Sequence, residues 1–240
     1  MGCDDEQSEY RRRIKIKMNI RVLYNVLLVR LGIRQILPSD YINGIRVMEN
    51  NDPMVQLQAE KDFIKIDGKS YLGRKGMIDR LLKAAKEVSK KDCRLRIYQI
   101  YRSPETQTNR RNELYEQLKQ EYPDYEETEI LHLLNIGIAG VGGGHQTGGS
   151  VDLGLCDQDG RDLDMGTKYL EHNAKTKTRC MALTEEQRSN RRVLVDAMQR
   201  AGFVNYPAEW WHFSYGDKMW AAYSSKKSAL YDVYRQDTSL

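Results

Sequence analysis

The clearest periodic stretch of the chain runs from Met77 to Lys90, where Met77, Ile78, Leu81, Leu82, Ala85 and Val88 recur at i, i+3, i+4 and i+7. That spacing lines one face of an amphipathic helix. A second helix is predicted from the capping box Thr184-Glu185-Glu186-Gln187 to Ala201, ended by Gly202. Arg94 to Tyr101 alternates and is rich in β-branched and aromatic residues, as a strand requires, and it ends at Arg102-Ser103-Pro104. Pro104 suits the first turn of a helix reaching Gln120, and a shorter helical piece spans Glu127 to Leu134. Ser150 to Leu155 reads as a strand with Val151, Leu153 and Leu155 on one face and Asp152 and Gly154 on the other. Lys61 to Gly68 resembles a short strand and turn, Asp157 to Gly160 a hairpin-like turn, Glu209 to Tyr215 a buried strand, and the tail from Lys226 a polar, peripheral segment. Together these elements predict an α+β fold: a small antiparallel sheet flanked by helices, with a cleft beside the sheet.

The first forty-odd residues follow a different pattern. Residues 1–17 begin acidic and turn sharply basic at Arg11, Arg12, Arg13, Lys15 and Lys17, which reads as a solvated arm. Between Arg21 and Arg30 lies an apolar run far too short to cross a bilayer as a helix. Arg30 and Arg34 stand where a signal peptide would need small residues for cleavage. The stretch from Met18 to Ile36 is therefore read as a helix packed on the domain in preference to an export or membrane-surface element. Residues 1–44 form an extension and 45–240 one domain. A cytoplasmic location is favoured, with surface association through residues 11–36 left open.

Composition changes the picture little. With 240 residues, 40% hydrophobic and 30% charged, the chain can bury a sizeable core without disulfides and has no transmembrane segment. The net charge of +4 is uneven: residues 1–50 carry nine Lys/Arg against six Asp/Glu, leaving 29 against 28 in the remainder. Nothing in that near-neutral body calls for nucleic acid. Cys3, Cys93, Cys156 and Cys180 are far apart and form no C-x-x-C pair, so reduced, structural thiols are expected.

Chemistry concentrates in two stretches. The glycine run from Gly137 to Gly149 lacks the Lys-Ser/Thr ending of a phosphate loop and reads as a loop carrying His145 towards Asp152 on the following strand. Sixty residues on stands Glu209-Trp210-Trp211-His212. His145, Asp152 and His212 suit a divalent metal and would leave a fourth position open for water, with Glu209 free to handle protons. His132 and His172 read as structural.

The spacing His145-x6-Asp152 followed by Glu209-x-x-His212, and preceded by Tyr101-Arg102-Ser103-Pro104, resembles the VanX/VanY-type zinc D-alanyl-D-alanine dipeptidases and D,D-carboxypeptidases. The resemblance covers about residues 45–225 and takes in Met165-Gly166-Thr167. It implies one zinc per chain on His145, Asp152 and His212, Glu209 as general base, Arg102 stabilising transition-state charge, and Trp210 and Trp211 as cleft wall. The implied substrate is D-Ala-D-Ala, free or ending a peptidoglycan stem peptide; a zinc-retaining, non-catalytic peptide-binding module is the alternative. Two departures bear on substrate contacts. Gly143 replaces the family's serine two before the first histidine, and Leu170 occupies the place of the dipeptidases' amine-binding aspartate, with Glu171 next as a substitute.

Overall fold

The computed structural model describes residues 20–58, 63–66, 71–137 and 142–235. The basic arm of residues 1–17, Met18, Lys61, Asp62, Asp67, Gly68, the side chain of His132 and residues 138–141 of the glycine run lie outside that set. The helices are α1 (residues 20–30), α2 (Ser39–Asn43), α3 (Lys75–Ser89), α4 (Pro104–Glu121), α5 (Glu127–Gly137), α6 (Gly144–Thr147), α7 (Glu185–Arg200) and α8 (Lys218–Tyr223). The strands are β1 (Arg46–Val47), β2 (Met54–Gln56), β3 (Ile64–Lys65), β4 (Leu72–Arg74), β5 (Arg94–Gln99), β6 (Ser150–Cys156), β7 (Val204–Asn205), β8 (His212–Ser214) and β9 (Ser228–Ala229).

The main sheet has five strands in the order β3-β5-β6-β8-β7. It is mixed, which corrects the antiparallel expectation: β3 pairs parallel to β5, while the other three pairings are antiparallel. The reason is the long α3 connection between β3 and β5, which carries the chain back to its starting end as a parallel crossover must. Both long helices begin as their sequences dictate. Pro104 opens α4 behind a Ser103 cap, and Thr184 and Gln187 complete a capping box at α7.

One sheet face is apolar. Leu95, Ile97, Val151, Leu153, Leu155 and Phe213 join Leu81 and Val88 of α3 and Leu194 and Met198 of α7 in a single buried cluster. Alternation then sends the intervening residues to the other face. Pairing of Ser150 with Ser214, Val151 with Phe213 and Asp152 with His212 puts Asp152 and His212 side by side there. A register shift between Ile97 and Gln99 lets Tyr98 reach over that face, where Gly154 makes room; a Cβ at 154 would stand 2.7 Å from the Tyr98 hydroxyl.

Three expectations need correcting in detail. The tail is not peripheral through residue 235: β9 pairs parallel to β1, Tyr231 is buried, and the backbone N–H of Tyr234 donates to the Gln146 carbonyl at 2.8 Å. Its aromatic residues bury more surface than the flanking lysines suggest. The segment Glu209 to Tyr215 is a strand only at His212–Ser214, because Glu209 lies in a turn whose N–H donates to the Tyr206 carbonyl at 3.0 Å. Finally, α1 is helical but poorly covered. Its Arg30 guanidinium donates to the carbonyls of Ala222 (2.6 Å) and Tyr223 (3.2 Å) at the end of α8, while Leu23, Tyr24 and Leu27 remain 61%, 59% and 52% exposed. No described helix is long and apolar enough to cross a membrane.

Candidate metal centre

Within the glycine run the chain forms the single helical turn α6, where a loop carrying His145 was expected. It is closed by Gly148 in the left-handed region at φ 73°, a conformation glycine adopts without strain. The turn is docked on the end of β5. The Arg102 N–H donates to the His145 carbonyl at 3.1 Å, and the His145 Nδ1 lies 2.6 Å from the Ile100 carbonyl. A carbonyl only accepts, so Nδ1 carries the proton and Nε2 is turned inward. That Nε2 lies 3.2 Å from Asp152 Oδ1, and His212 Nδ1 lies 2.9 Å from the same oxygen.

One ligand atom from each of His145, Asp152 and His212 falls within 4.8 Å of the others. With Nδ1 protonated, a neutral His145 presents a lone pair to a carboxylate oxygen, so a proton or a cation belongs between them. Two imidazole nitrogens and one carboxylate oxygen are a donor set suited to zinc, with a fourth position left for water or substrate. The surroundings hold each ligand from behind. The Tyr169 hydroxyl donates to Asp152 Oδ2 at 2.9 Å, and its ring stacks on Tyr98 with centroids 4.5 Å apart. Behind His212, Nε2 is 3.4 Å from the Ser214 hydroxyl, which is 2.9 Å from that of Ser150; Ser150 donates in turn to the buried Asp217 at 2.7 Å. Neither Tyr169 nor Asp217 was singled out from sequence. Tyr169 follows the Met165-Gly166-Thr167 segment by two residues, which is the signal that points to it.

Electrostatics follow the packing. Burial opposes ionisation of Asp152, but His145 and His212 outweigh it and hold the carboxyl below its ordinary range. Burial lowers His212, yet the hydrogen bond and charge of Asp152 more than restore it, leaving it raised. Burial pushes the Glu209 carboxyl up against the pull of His212, with Asp152 adding repulsion. Burial and the neighbouring Arg110 lower the Arg102 guanidinium, while Asp152, Tyr169 and Glu209 draw it back up. Arg102 donates to Gln107 Oε1 at 2.8 Å, and its buried Nε has no partner.

The remaining sequence candidates take different places. Trp210 and Trp211 are each 1% exposed and pack edge to face, so both are core beneath the site. Trp210 also donates from Nε1 to Thr167 Oγ1 at 2.8 Å and edges a cavity of about 550 Å³ bordered by Tyr98, Tyr169 and Glu171. Glu171 is exposed; its carboxylate accepts from the Lys168 N–H and the Asn173 amide, both at 2.9 Å, within its own loop. Gly143 precedes α6 in extended conformation. His172 is exposed and sets its ring edge to face with Trp211.

Two histidines and an aspartate converging on one point of a mixed sheet, with the half-buried Glu209 in the turn beside them, define the class: a protein with a candidate site for one divalent cation. The particular family follows from its sequence model. Residues 60–231 match the M15 peptidases, described as D-ala-D-ala dipeptidase, and the chain belongs to that family. It is similar to the D-alanyl-D-alanine dipeptidase of Synechocystis sp. (38% identity over 88 residues, 32% of this chain and 36% of that one) and to that of Escherichia coli K12 (36% over 73 residues, 30% and 38%). The match thus spans little more than a third of those relatives' length. A solved structure described as VanYB in complex with D-Alanine-D-Alanine is a more distant likeness, with TM-score 0.47, 12% identity and coverage of 78% of this chain and 94% of that one.

Proposed function

We propose that this chain is a zinc-dependent peptidase that hydrolyses the D-Ala-D-Ala bond, as the free dipeptide or at the end of a peptidoglycan stem peptide. The observation that carries the reading is the convergence of His145, Asp152 and His212 beside half-buried Glu209. His145, Asp152 and His212 hold the metal. Bound zinc supplies a Lewis acid that polarises the scissile carbonyl and eases deprotonation of water near neutral pH. Glu209 accepts the proton of the attacking water and passes it to the leaving amine, a role that its raised affinity for protons favours. Arg102, held by Gln107 with its Nε still unpartnered, donates to charge growing on the carbonyl oxygen. The working domain takes in residues 45–240.

The loop after Thr167 favours the stem peptide over the dipeptide. Leu170 offers no charge to a free amine, and the Glu171 carboxylate is taken up by the Lys168 N–H and the Asn173 side-chain amide. Steady-state hydrolysis of free D-Ala-D-Ala and of a stem pentapeptide by the zinc-loaded protein tests both statements. Cleavage of the terminal D-Ala bond in either one is expected, with the pentapeptide preferred. Inertness towards both, with zinc bound, would make the chain a peptide-binding module.

A further inference from the structure

The segment 11–36 carries Arg11, Arg12, Arg13, Lys15, Lys17, Arg21, Arg30 and Arg34 without one Asp or Glu. Those eight cations are twice the net charge of +4, so the rest of the chain is net negative. Within the segment, α1 is apolar on two sides. Val22, Val26 and Val29 are half-buried, and Arg30 ties the helix end to the carbonyls that close α8. On another face Ile20, Leu23, Tyr24, Leu27 and Leu31, at i, i+3, i+4, i+7 and i+11, form a continuous stripe, each more than half exposed at 52–63%. Exposed apolar stripes of this kind mark an interaction surface.

We propose that this stripe is a membrane-surface element: α1 lies in the plane of an anionic lipid headgroup layer, with Leu23, Tyr24 and Leu27 inserted at its apolar boundary and the positive charge of segment 11–36 drawing the chain to that layer. Charge complementarity selects this occupant. A second copy pairing stripe to stripe would bring the same excess of cations against itself, whereas an anionic headgroup layer neutralises it. The ties from Arg30 to α8 fix one side of the helix to the domain, so the exposed side meets the surface edge-on, as an in-plane amphipathic helix does and a spanning helix does not. The function of the stripe is to hold the chain at a membrane.

The test is co-sedimentation of the full chain with phosphatidylcholine vesicles with and without phosphatidylglycerol. Binding to the anionic vesicles and not to the neutral ones is expected. Leu23→Glu with Leu27→Glu, both at exposed positions, lowers that binding by at least about tenfold while zinc content stays the same. Arg11→Gln, Arg12→Gln and Arg13→Gln lower it by about fivefold for each charge removed. Failure of the parent chain to bind anionic vesicles, or binding unchanged by the paired glutamates, overturns the proposal. A parent dimer that the paired glutamates dissociate, seen by analytical ultracentrifugation without lipid, also overturns it and assigns the stripe to a second copy.

Discussion

The strands under the metal cluster and the loop that follows Met165 fix their side chains by opposite means. On β6 and β8, register alone sets Asp152 beside His212; both are buried, and each has a second partner, Tyr169 for one and Ser214 for the other. From 164 to 176 the backbone is shaped by bonds to itself and to α7. Leu170 sits at φ 64°, Glu171 accepts from its neighbours, and buried Arg191 donates to the carbonyls of Met165, Lys175 and Lys177 at 2.7–2.8 Å. Sheet register allows little change without losing the ligand set. The loop is held by its carbonyls and by side chains other than that of Leu170, which is half exposed. On the proposed function, the chemistry belongs to the sheet and the choice of substrate to the loop.

That division can be broken most severely at Glu209, the proposed proton acceptor. Glu209→Gln is expected to keep one zinc per chain by elemental analysis yet lose about a hundred- to ten-thousandfold in turnover; zinc lost along with activity would make Glu209 a structural part of the cluster. Arg102→Met removes a donor that is half in the loop and half on the strand end. A fall of about a hundred- to a thousandfold in kcat, with KM little changed, places its contact in the transition state. Tyr169→Phe bridges the two regions, because a loop hydroxyl orients a strand ligand. It should weaken zinc about ten- to a hundredfold in a chelator competition while the fold melts normally. The smallest effect is expected from Glu171→Ala, within about 0.5 kcal/mol in stability. A selective loss of dipeptide hydrolysis in that variant would show that the loop reads a free amine.

The same contrast explains what was legible in the sequence. The convergence of His145, Asp152 and His212 could be read because metal chemistry limits the residue types, and strand alternation limits where Asp152 and His212 can stand. The helices α3, α4 and α7 were legible from periodicity, Pro104 and the capping box, each a local signal. Tyr169 was not, since its hydrogen bond to Asp152 crosses 17 residues and depends on how the loop folds over Tyr98. The parallel β3–β5 pair was missed because two-residue β3 carries no pattern that distinguishes its direction. The apolar run of α1 announced a helix, but hydrophobicity does not say which surface will cover it. The burial of Tyr231 was hidden by Lys226 and Lys227, whose charges stay in solvent while the aromatic residues turn inward.

The tail has a further consequence for when the protein becomes competent. Arg74 joins the Thr147 carbonyl to that of Asp232, Tyr101 donates to the Tyr234 carbonyl, and Tyr234 donates to Gln146, the residue after His145. The strap that seats His145 is thus translated after His145, Asp152, Glu209 and His212. A nascent chain still attached to the ribosome before residue 234 carries every reacting group yet lacks the clamp that aligns them. Metal capture in a finished geometry becomes one of the last events of this protein's synthesis.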